Sequence, residues 1–257
     1  MMADSLCYNP FSLSGKNILV TGATGGIGRQ IALECSRMGA RVFFTGRNSA
    51  KLEDLLKEMP QQTTPVAIIA DLTVSEDIDK VVESIDNLDG IVHCAGIGDR
   101  TLSKMVRQKD IDRVMKTNFE APVLLQRALL KKKKVNKGAS IVFIASRAAS
   151  APYIGNGLYS ASKGALISYS KVLGLELAPQ KIRVNCICPA MVWTELIEKD
   201  ATLTGVDYHE AEKSYPLGRF GKPEDVSFLA VYLLSDCSEW MTGSCIDLTG
   251  GGSLTLI

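Results

Sequence analysis

Seven short apolar runs constrain the fold of this 257-residue chain more than any other feature. They occupy residues 18–20, 42–44, 66–69, 91–94, 141–144, 184–187 and 245–248. The runs are largely continuous rather than alternating, which is typical of strands that are buried on both faces. Strands of that kind occur in parallel sheets, where helices cover each face.

Segments with helical periodicity lie between the runs. Their apolar positions include Ile27, Ile31, Cys35 and Met38 after the first run, and Leu166, Tyr169, Leu173 and Leu177 after the fifth. This alternation predicts an α/β fold, with a doubly wound, seven-stranded parallel sheet and helices on both faces. Because no repeat or linker interrupts it, we expect one domain over residues 1–257, with a nucleotide-binding half at about 14–120 and a catalytic and substrate half at about 121–257. The irregular stretch 194–215 is a candidate lid.

Charge and composition exclude several classes of function. The net charge is +1, so the overall charge does not indicate nucleic acid or an anionic membrane surface. No stretch approaches the roughly 20 apolar residues of a membrane span, and residues 1–4 lack the basic start of a signal peptide. We therefore expect a cytoplasmic protein without a membrane or nucleic-acid partner.

The seven cysteines and two histidines do not show metal-binding spacing, so we expect no metal site. Cys186 and Cys188 lie two apart in a predicted strand and share a face, with Cα atoms about 6.5–7 Å apart, at the limit for a disulfide. An odd cysteine count without a framework spacing predicts free thiols in a reducing compartment.

A glycine-rich turn follows the first run and opens the first predicted helix. Residues 21–28 read Thr-Gly-Ala-Thr-Gly-Gly-Ile-Gly. Glycines permit a tight turn and the close approach of a pyrophosphate, which the helix N-terminus attracts. In this strand–turn–helix context the spacing predicts a dinucleotide site, with contacts from Gly22, Thr24, Gly25, Gly26, Ile27 and Gly28.

Arg47, Asp71 and Leu72 are predicted at the adenosine end of that site. Arg47 follows the second run, where an NAD site usually places a carboxylate and an arginine favours the 2′-phosphate of NADP. No acidic residue occurs between Arg47 and Glu53, so NADP(H) is the preferred cofactor and NAD(H) the alternative. Arg47 could also be a solvated loop residue. Asp71 could accept a hydrogen bond from the adenine amino group, or it could cap the following helix.

Tyr159 and Lys163 are candidates for acid–base chemistry. Four residues apart on a helix, they point the same way, so the ammonium can lie beside the phenol. A cation there lowers the pKa of tyrosine from its usual value of about 10. Such a tyrosine is a usable general acid or base at a carbonyl or alcohol oxygen. Ser146 precedes Tyr159 by 13 residues.

Together these motifs resemble the short-chain dehydrogenase/reductase family over nearly the whole chain. The resemblance rests on Thr21-Gly22-x-x-x-Gly26-x-Gly28, Ala95-Gly96, Asn118, Ser146, Tyr159-x-x-x-Lys163, Arg183-Val184-Asn185 with Pro189, and Gly243. It implies a Rossmann-like domain that transfers hydride between a nicotinamide and a carbonyl or secondary alcohol. It also implies cofactor contacts from Cys94, Ala95, Gly96, Tyr159, Lys163, Pro189, Met191, Val192 and Thr194.

The resemblance implies a role for each of four catalytic residues. Tyr159 would donate a proton to a carbonyl oxygen, or remove one from an alcohol. Ser146 would hold the substrate oxygen by a hydrogen bond. Lys163 would lower the pKa of Tyr159 and bind the nicotinamide ribose, and Asn118 would hold a water that links Lys163 to solvent.

Three segments depart from the usual family pattern. Residues 93–96 read His-Cys-Ala-Gly instead of Asn-Asn-Ala-Gly, which removes an asparagine that braces the central strands. Residues 189–190 read Pro-Ala instead of Pro-Gly, and residues 248–251 read Leu-Thr-Gly-Gly instead of Val-Asp-Gly-Gly. None of these changes touches the catalytic four, so we expect His93 to be a packed strand residue rather than a catalyst.

The substrate pocket is expected around Tyr159 and in the loops after the fifth and sixth runs. Its candidate residues are Ser146, Arg147, Tyr153, Ile154, Tyr159 and Trp193, with the segment 195–215. Residues 215–226 resemble 3-oxoacyl-acyl-carrier-protein reductases, so an acyl thioester on an acidic carrier protein is one candidate substrate. The basic run 131–134 would then be a docking patch, although it could equally be a solvated helix end. The same segment also occurs in relatives that act on sugars, steroids or small ketones.

Two other interpretations remain open. An NAD-linked dehydrogenase of a sugar, steroid or other small alcohol would keep the same catalytic residues. A non-catalytic dinucleotide-binding protein would bind the cofactor without chemistry. The resemblance also implies a homotetramer or homodimer. Leucines that could serve either the subunit contacts or the internal core are Leu124, Leu125, Leu129, Leu166 and Leu173.

Overall fold

One parallel sheet organises residues 8–195, 197–198 and 207–252, the part of the chain that the computed structural model describes. Its strands are β1 (Asn17–Val20), β2 (Arg41–Gly46), β3 (Val66–Ile69), β4 (Leu88–His93), β5 (Val135–Ile144), β6 (Arg183–Pro189) and β7 (Cys245–Leu248). Their order is β3-β2-β1-β4-β5-β6-β7, and each neighbouring pair is parallel. The predicted α/β fold with a doubly wound, seven-stranded parallel sheet is confirmed within these residues.

Helices cover both faces of the sheet. They are α1 (Gly26–Arg37), α2 (Ser49–Glu58), α3 (Ser75–Glu83), α4 (Gln108–Met115), α5 (Ala121–Lys131), α6 (Gly157–Leu177), α7 (Tyr208–Glu212) and α8 (Pro223–Leu234). Apolar residues of α1, α2 and α8 pack on one face, and those of α3, α5 and α6 pack on the other. Within the described residues, none of the helices combines the length and the apolar character of a membrane span.

Burial on both faces explains the continuous apolar runs. In β1, Ile18 and Val20 pack towards α1 and α8, whereas Leu19 packs towards the opposite layer. All three side chains are completely buried. A strand with one solvated face would instead alternate apolar and polar residues.

The strand order reverses between β1 and β4. After β3 the chain crosses back over β1, so the connections leaving β1 and β4 run in opposite directions. In open α/β sheets the crevice at such a point, outside the carboxyl ends of the strands, is where ligands bind. The topology therefore places the glycine-rich turn after β1 and the segment 94–96 after β4 at one crevice.

Most of the leucines considered for subunit contacts belong to the internal core. Leu125, Leu129, Leu166 and Leu173 are buried against the sheet, whereas Leu124 is 46% exposed. The core interpretation is correct for these four, because α5 and α6 lie directly on the strands.

Six cysteines fall within the described residues, and all six are free thiols; Cys7 lies outside that part. Cys186 and Cys188 share a face as predicted. The register partner of Cys186 is Cys245 on β7, and Ser170 Oγ lies 3.0 Å from Cys186 Sγ. The described part of the chain holds no group of three or more side chains suited to a metal ion.

His93 ends β4 and is buried under α5. Its ring stacks on Phe143 with a centroid distance of 4.6 Å, and its Nε2 lies 3.0 Å from Gln126 Oε1. Burial lowers the pKa of His93 to about 4, although the hydrogen bond with Gln126 opposes that change. The side chain is the packed strand residue that the sequence predicts, and it is neutral at neutral pH.

We expect His93 to make the fold sensitive to acid. Its pKa is about 4 in the folded chain and about 6.5 in the unfolded chain, so the unfolded chain takes up the proton first. Its contribution is complete above about pH 6.5 and is lost as the pH falls towards 4, by about 2 kcal/mol between pH 7.5 and pH 5. Chemical denaturation of wild type and His93→Asn at both pH values tests this. The stability of the variant should fall less, by about that amount, and an equal fall in both proteins would contradict the expectation.

Candidate active site

The turn between β1 and α1 is so tight that two of its positions require glycine. Gly22 has a φ of +70°, and a Cβ there would lie 2.7 Å from Ala95 Cα. A Cβ on Gly28 would lie 2.4 Å from Gly22 O. Gly25 occupies the N-cap position of α1, so the N–H groups of the first helical turn face the crevice without a capping side chain. Such a helix N-terminus attracts phosphate.

Thr21 braces the two strands that flank the crevice. Its Oγ1 accepts hydrogen bonds from Cys94 N at 3.0 Å and from Ala95 N at 3.1 Å. Thr21, at the end of β1, therefore ties the two strands together where most family members would use an asparagine at position 94.

A cleft of about 540 Å³ lies over this turn, at the carboxyl ends of the strands. The predicted residues that line it are Gly22, Thr24, Gly25, Gly26, Ile27, Gly28, Arg47, Asp71, Leu72, Cys94, Ala95, Gly96, Ser146, Tyr159, Lys163, Pro189, Val192 and Thr194. Met191 does not line the cleft. It is buried with Tyr208, Tyr215 and Phe220 in an apolar cluster, because its side chain points away from the crevice. The cofactor contact from Met191 stays a prediction, and the side chain does not contribute to the lining of the cleft.

Several lining residues carry no motif and were not predicted from the sequence. They are Thr45, Gly46, Ala70 and Thr73 at one end of the cleft, and Ile97, Thr117, Ala121, Ile144, Ala145 and Ala190 at the other. Most are small or apolar and have no chemical signature. The ends of the predicted strands are the only signal that could have identified Thr45, Ala70, Ile144 and Ala145.

Asp71 shapes the turn at the adenosine end of the cleft. Its Oδ1 accepts hydrogen bonds from the backbone N–H of Thr73 at 3.0 Å and from the Thr73 hydroxyl at 2.8 Å. Burial acts to raise the pKa of Asp71, but these bonds and the charge of Arg47 hold it below its usual value. Helix α3 begins with Val74 at its N-cap, so the capping role considered for Asp71 is wrong.

Arg47 extends over the same end of the cleft. Its Nη1 lies 3.7 Å from Asp71 Oδ2, and its side chain is 69% exposed. Beside it, a small polar depression is lined by Thr24, Asn48, Ser49 and Lys51. The guanidinium is therefore paired with Asp71 at the rim of the cleft and remains largely exposed to solvent, where an anion can reach it.

The four predicted catalytic residues converge at the other end. Ser146 follows β5, Tyr159 and Lys163 lie on α6, and Asn118 lies in the π-helical turn Lys116–Glu120 between α4 and α5. Ser146, Tyr159 and Lys163 all line the cleft. The Nζ of Lys163 donates to Ile144 O at 2.9 Å and lies 5.8 Å from the centroid of the Tyr159 ring.

Asn118 is fully buried and is held in one orientation. Its Oδ1 accepts from Ile97 N at 2.8 Å, and its Nδ2 donates to Ile97 O at 3.0 Å and to Ser162 Oγ at 3.1 Å. A Cβ on Gly96 would lie 3.2 Å from Asn118 Oδ1 and 3.3 Å from Lys163 Nζ. Because position 96 has no side chain, the Asn118 amide and the Lys163 ammonium can both lie close to its backbone.

The pKa of Tyr159 shifts in the direction opposite to the expected one. Burial raises it, and the hydrogen bond with Ser146 only partly opposes the rise. Burial also lowers the pKa of Lys163. The predicted net lowering is not found, because burial has the largest effect on the pKa of the phenol. The phenol carries its proton, and this is the form that can donate to a carbonyl oxygen.

Tyr153 and Trp193 lie beside the catalytic end, in the same apolar cluster as Tyr159. The guanidinium of Arg100 lies 4.5 Å from the centroid of the Tyr153 ring. Trp193 Nε1 donates to Glu212 Oε2 at 2.7 Å, which ties α7 to the loop after β6. Residues 196 and 199–206 of the predicted lid lie outside the described part of the chain.

Arg147 and Ile154 are not brought to the catalytic residues. Arg147 Nη1 lies 2.9 Å from Asp247 Oδ2 and 2.7 Å from Ser150 Oγ, so its charge is directed at β7. Ile154 is 86% exposed, and neither residue lines the cleft. Their role as substrate residues stays a prediction that the lining of this cleft does not support, because the loop after β5 turns their side chains outward.

The basic run 131–134 lies at the amino ends of the strands, whereas the cleft lies at their carboxyl ends. It ends α5 and precedes β5, and Lys134 Nζ donates to Ile85 O at 2.6 Å. Strand β5 leads from the end of the run to Ser146 in the cleft, so the run and the cleft lie at opposite ends of that strand. The run is the solvated helix end that the sequence analysis considered, rather than a patch beside the site.

The cleft at the carboxyl ends of the strands combines a phosphate-binding turn, an adenosine pocket and residues suited to acid–base chemistry. This combination defines a dinucleotide-dependent oxidoreductase. The family model described as Enoyl-(Acyl carrier protein) reductase matches residues 22–253. The 3-oxoacyl-acyl-carrier-protein reductase of Rickettsia bellii is 32% identical over 93% of this chain and 97% of its own length. The L-xylulose reductase of Caenorhabditis elegans is 33% identical over 95% and 98%.

A solved structure indicates the same family. The 3-ketoacyl-(acyl-carrier-protein) reductase of Brucella melitensis, crystallised with NADH, is 31% identical and has a TM-score of 0.84, covering 93% of this chain and 99% of its own. The chain therefore belongs to the short-chain dehydrogenase/reductase family and is an NAD(P)-dependent oxidoreductase.

We expect Gly28→Ala to weaken dinucleotide binding while Gly164→Ala does not. The new Cβ at position 28 would meet Gly22 O at 2.4 Å, whereas a Cβ at position 164 meets nothing within 4 Å. Overpacking of this kind costs about 1–3 kcal/mol, so the affinity for NADPH should fall about tenfold or more. Fluorescence titration measures the affinity, and circular dichroism confirms the fold. Equal affinity in both variants would contradict the role of the tight turn.

Proposed function

We propose that this chain is an NADP(H)-dependent oxidoreductase that transfers hydride between a nicotinamide and a carbonyl or secondary alcohol, with Tyr159 as general acid and base. The observation that carries the proposal is that Ser146, Tyr159 and Lys163 line the same cleft as the glycine-rich turn. Burial raises the pKa of Tyr159, so the phenol carries the proton that carbonyl reduction requires.

The residues of the cleft fit a nicotinamide dinucleotide. The N–H groups at the start of α1 would hold the pyrophosphate, and Asp71 and Leu72 would flank the adenine. Cys94, Ala95 and Gly96 would lie along the ribose. Residues at the ends of β5 and β6 would border the nicotinamide, and they include Pro189, Val192 and Thr194. When bound, the reduced cofactor supplies a hydride at this end of the cleft.

The four catalytic residues would divide the work as follows. Ser146 holds the substrate oxygen next to the Tyr159 hydroxyl, and Tyr159 gives up its proton to that oxygen. The Lys163 ammonium lies behind the ring and stabilises the resulting phenolate. Asn118, fixed by Ile97 and Ser162, would hold a water beside Lys163 and so return a proton to the site.

We expect Tyr159→Phe to lose activity while it keeps cofactor binding. Loss of a general acid lowers the rate by about 10²–10⁴-fold, and the aromatic ring that packs in the cleft is retained. Tyr169→Phe is the matched control on α6, because Tyr169 packs edge-on against Phe119 and Phe143, away from the cleft. Steady-state turnover and NADPH titration measure the two effects. Full turnover of Tyr159→Phe on a substrate that wild type reduces would refute the mechanism.

NADP(H) is the proposed cofactor because cations and polar groups border the adenosine end. Arg47 and Lys51 lie beside the polar side chains of Thr24, Asn48 and Ser49. A 2′-phosphate carries a charge of about −1.5 to −2, whereas a bare ribose offers these cations no partner. An NAD-linked dehydrogenase of a sugar, steroid or small alcohol remains the alternative.

We expect Arg47→Ala to remove the preference for NADPH. A hydrogen bond to a charged group contributes about 1.5–3 kcal/mol, so NADPH affinity should fall about tenfold or more, while NADH affinity stays the same. Fluorescence titration of both nucleotides against wild type and variant measures this. Tighter binding of NADH by wild type, or equal affinities in both proteins, would shift the proposal to an NAD-linked enzyme.

A 3-oxoacyl thioester is the substrate class that we propose to test first. Two observations support it: the Rickettsia bellii relative is named for that activity, and the cluster beside Tyr159 is apolar and aromatic, with Tyr153, Trp193 and Phe220. An acidic carrier protein would have to dock near the cleft, since the basic run 131–134 lies at the amino ends of the strands. A sugar ketone is the second candidate, because another relative is named an L-xylulose reductase.

We further propose a homotetramer or homodimer in a reducing, cytoplasmic setting. Apolar side chains stand exposed on α5, α6, α8 and the segment before β7. They are Leu124, Val172, Leu175, Phe228 and Trp240. Burial of such side chains against a second copy is the usual reason for an exposed apolar face. The free thiols of the described cysteines are typical of a reducing compartment.

A further inference from the structure

An ion pair joins the two rims of the dinucleotide cleft. Lys51, in the first turn of α2, places its Nζ 2.5 Å from Glu195 Oε1 and 2.7 Å from Glu195 Oε2. Glu195 belongs to the segment that follows β6, 144 residues further along the chain. Both side chains remain partly exposed, Lys51 at 42% and Glu195 at 59%. The contact is therefore a long-range bridge that can open into solvent.

The segment that carries Glu195 lies directly on the glycine-rich turn. Thr194 Cγ2 is 2.8 Å from the point that a Cβ on Gly26 would occupy, and Thr194 and Glu195 both line the cleft. The Lys51–Glu195 bridge thus extends from this segment to α2, beside the part of the cleft between the glycine-rich turn and Arg47 that a dinucleotide would occupy.

Lys51 also borders the depression where a 2′-phosphate would bind. Thr24 and Arg47 line that depression with it, and Asn48 Oδ1 accepts from the backbone N–H of Lys51 at 3.0 Å, which fixes the start of α2. The flexible lysine stem lets the ammonium turn either towards Glu195 or towards this depression. Glu195 carries one negative charge, whereas a 2′-phosphate carries about −1.5 to −2.

We propose that Lys51 exchanges its partner when NADP(H) binds, leaving Glu195 for the 2′-phosphate, so that Glu195 is a specificity-determining residue for the cofactor. The proposal rests on the proposed use of NADP(H). NADH has no phosphate to take Lys51 away, so the bridge stays closed over it. NADPH opens the bridge, which releases the segment after β6 from α2 while the phosphate holds Lys51.

A double-mutant cycle tests the exchange by fluorescence titration of NADPH and NADH. The proteins are wild type, Glu195→Gln, Lys51→Gln and the double variant, with Glu198→Gln as the control that removes a nearby exposed charge. An exposed pair contributes about 1.4- to 5-fold to an equilibrium. Glu195→Gln should therefore tighten NADPH by a factor in that range without tightening NADH, Lys51→Gln should weaken NADPH, and Glu195→Gln should have no effect in the Lys51→Gln background.

Any other outcome contradicts the proposed exchange of Lys51 between Glu195 and the 2′-phosphate. Tightening by Glu195→Gln that persists without Lys51, or that Glu198→Gln reproduces, shows a general charge effect. An unchanged NADPH affinity in Glu195→Gln, with wild type still preferring NADPH through Arg47, refutes the exchange and leaves the proposed function intact. A wild type that binds NADH more tightly, with no response to Arg47→Ala, overturns the cofactor proposal and the exchange together.

Discussion

Backbone hydrogen bonding between strands that are covered on both faces is the constraint on which the rest of the structure depends. A buried N–H or C=O group without a partner costs free energy comparable to a lost hydrogen bond, and no water reaches the central strands. The strands must therefore pair in parallel along their length, and their carboxyl ends meet at one edge. That edge gathers the glycine-rich turn, Gly96, Ser146 and Pro189 from strands far apart in sequence, and the cleft is a consequence of this pairing.

A second constraint is the burial of charge at the catalytic end. Lys163 is only 4% exposed, and a buried ammonium is costly unless hydrogen bonds compensate it. The carbonyl of Ile144 supplies one such bond at 2.9 Å. The same burial raises the pKa of Tyr159 and lowers that of Lys163, so desolvation favours the neutral form of both groups.

Most of the fold and the centre of the site could be predicted from the sequence, because both depend on local patterns. Apolar runs identify buried strands, and the glycine spacing identifies a turn that only glycine can make, as Gly22 and Gly28 show. The differences between expectation and structure concern directions in space. Met191, Arg147 and Ile154 lie at or near the predicted loops but do not line the cleft, since neighbours such as Asp247 decide where each side chain turns.

The sequence by itself determined the parallel α/β sheet and the dinucleotide turn, because strand periodicity and glycine spacing are properties of neighbouring residues. The set of Asn118, Ser146, Tyr159 and Lys163 was implied by the family resemblance that the motifs carry. Only the tertiary structure decided the protonation preference of Tyr159, the position of the basic run 131–134 at the amino ends of the strands, and the meeting of Lys51 with Glu195. Each of these depends on burial or on contacts between segments far apart in the chain. Desolvation and long-range ion pairing arise only when the chain is folded, so no local pattern encodes them.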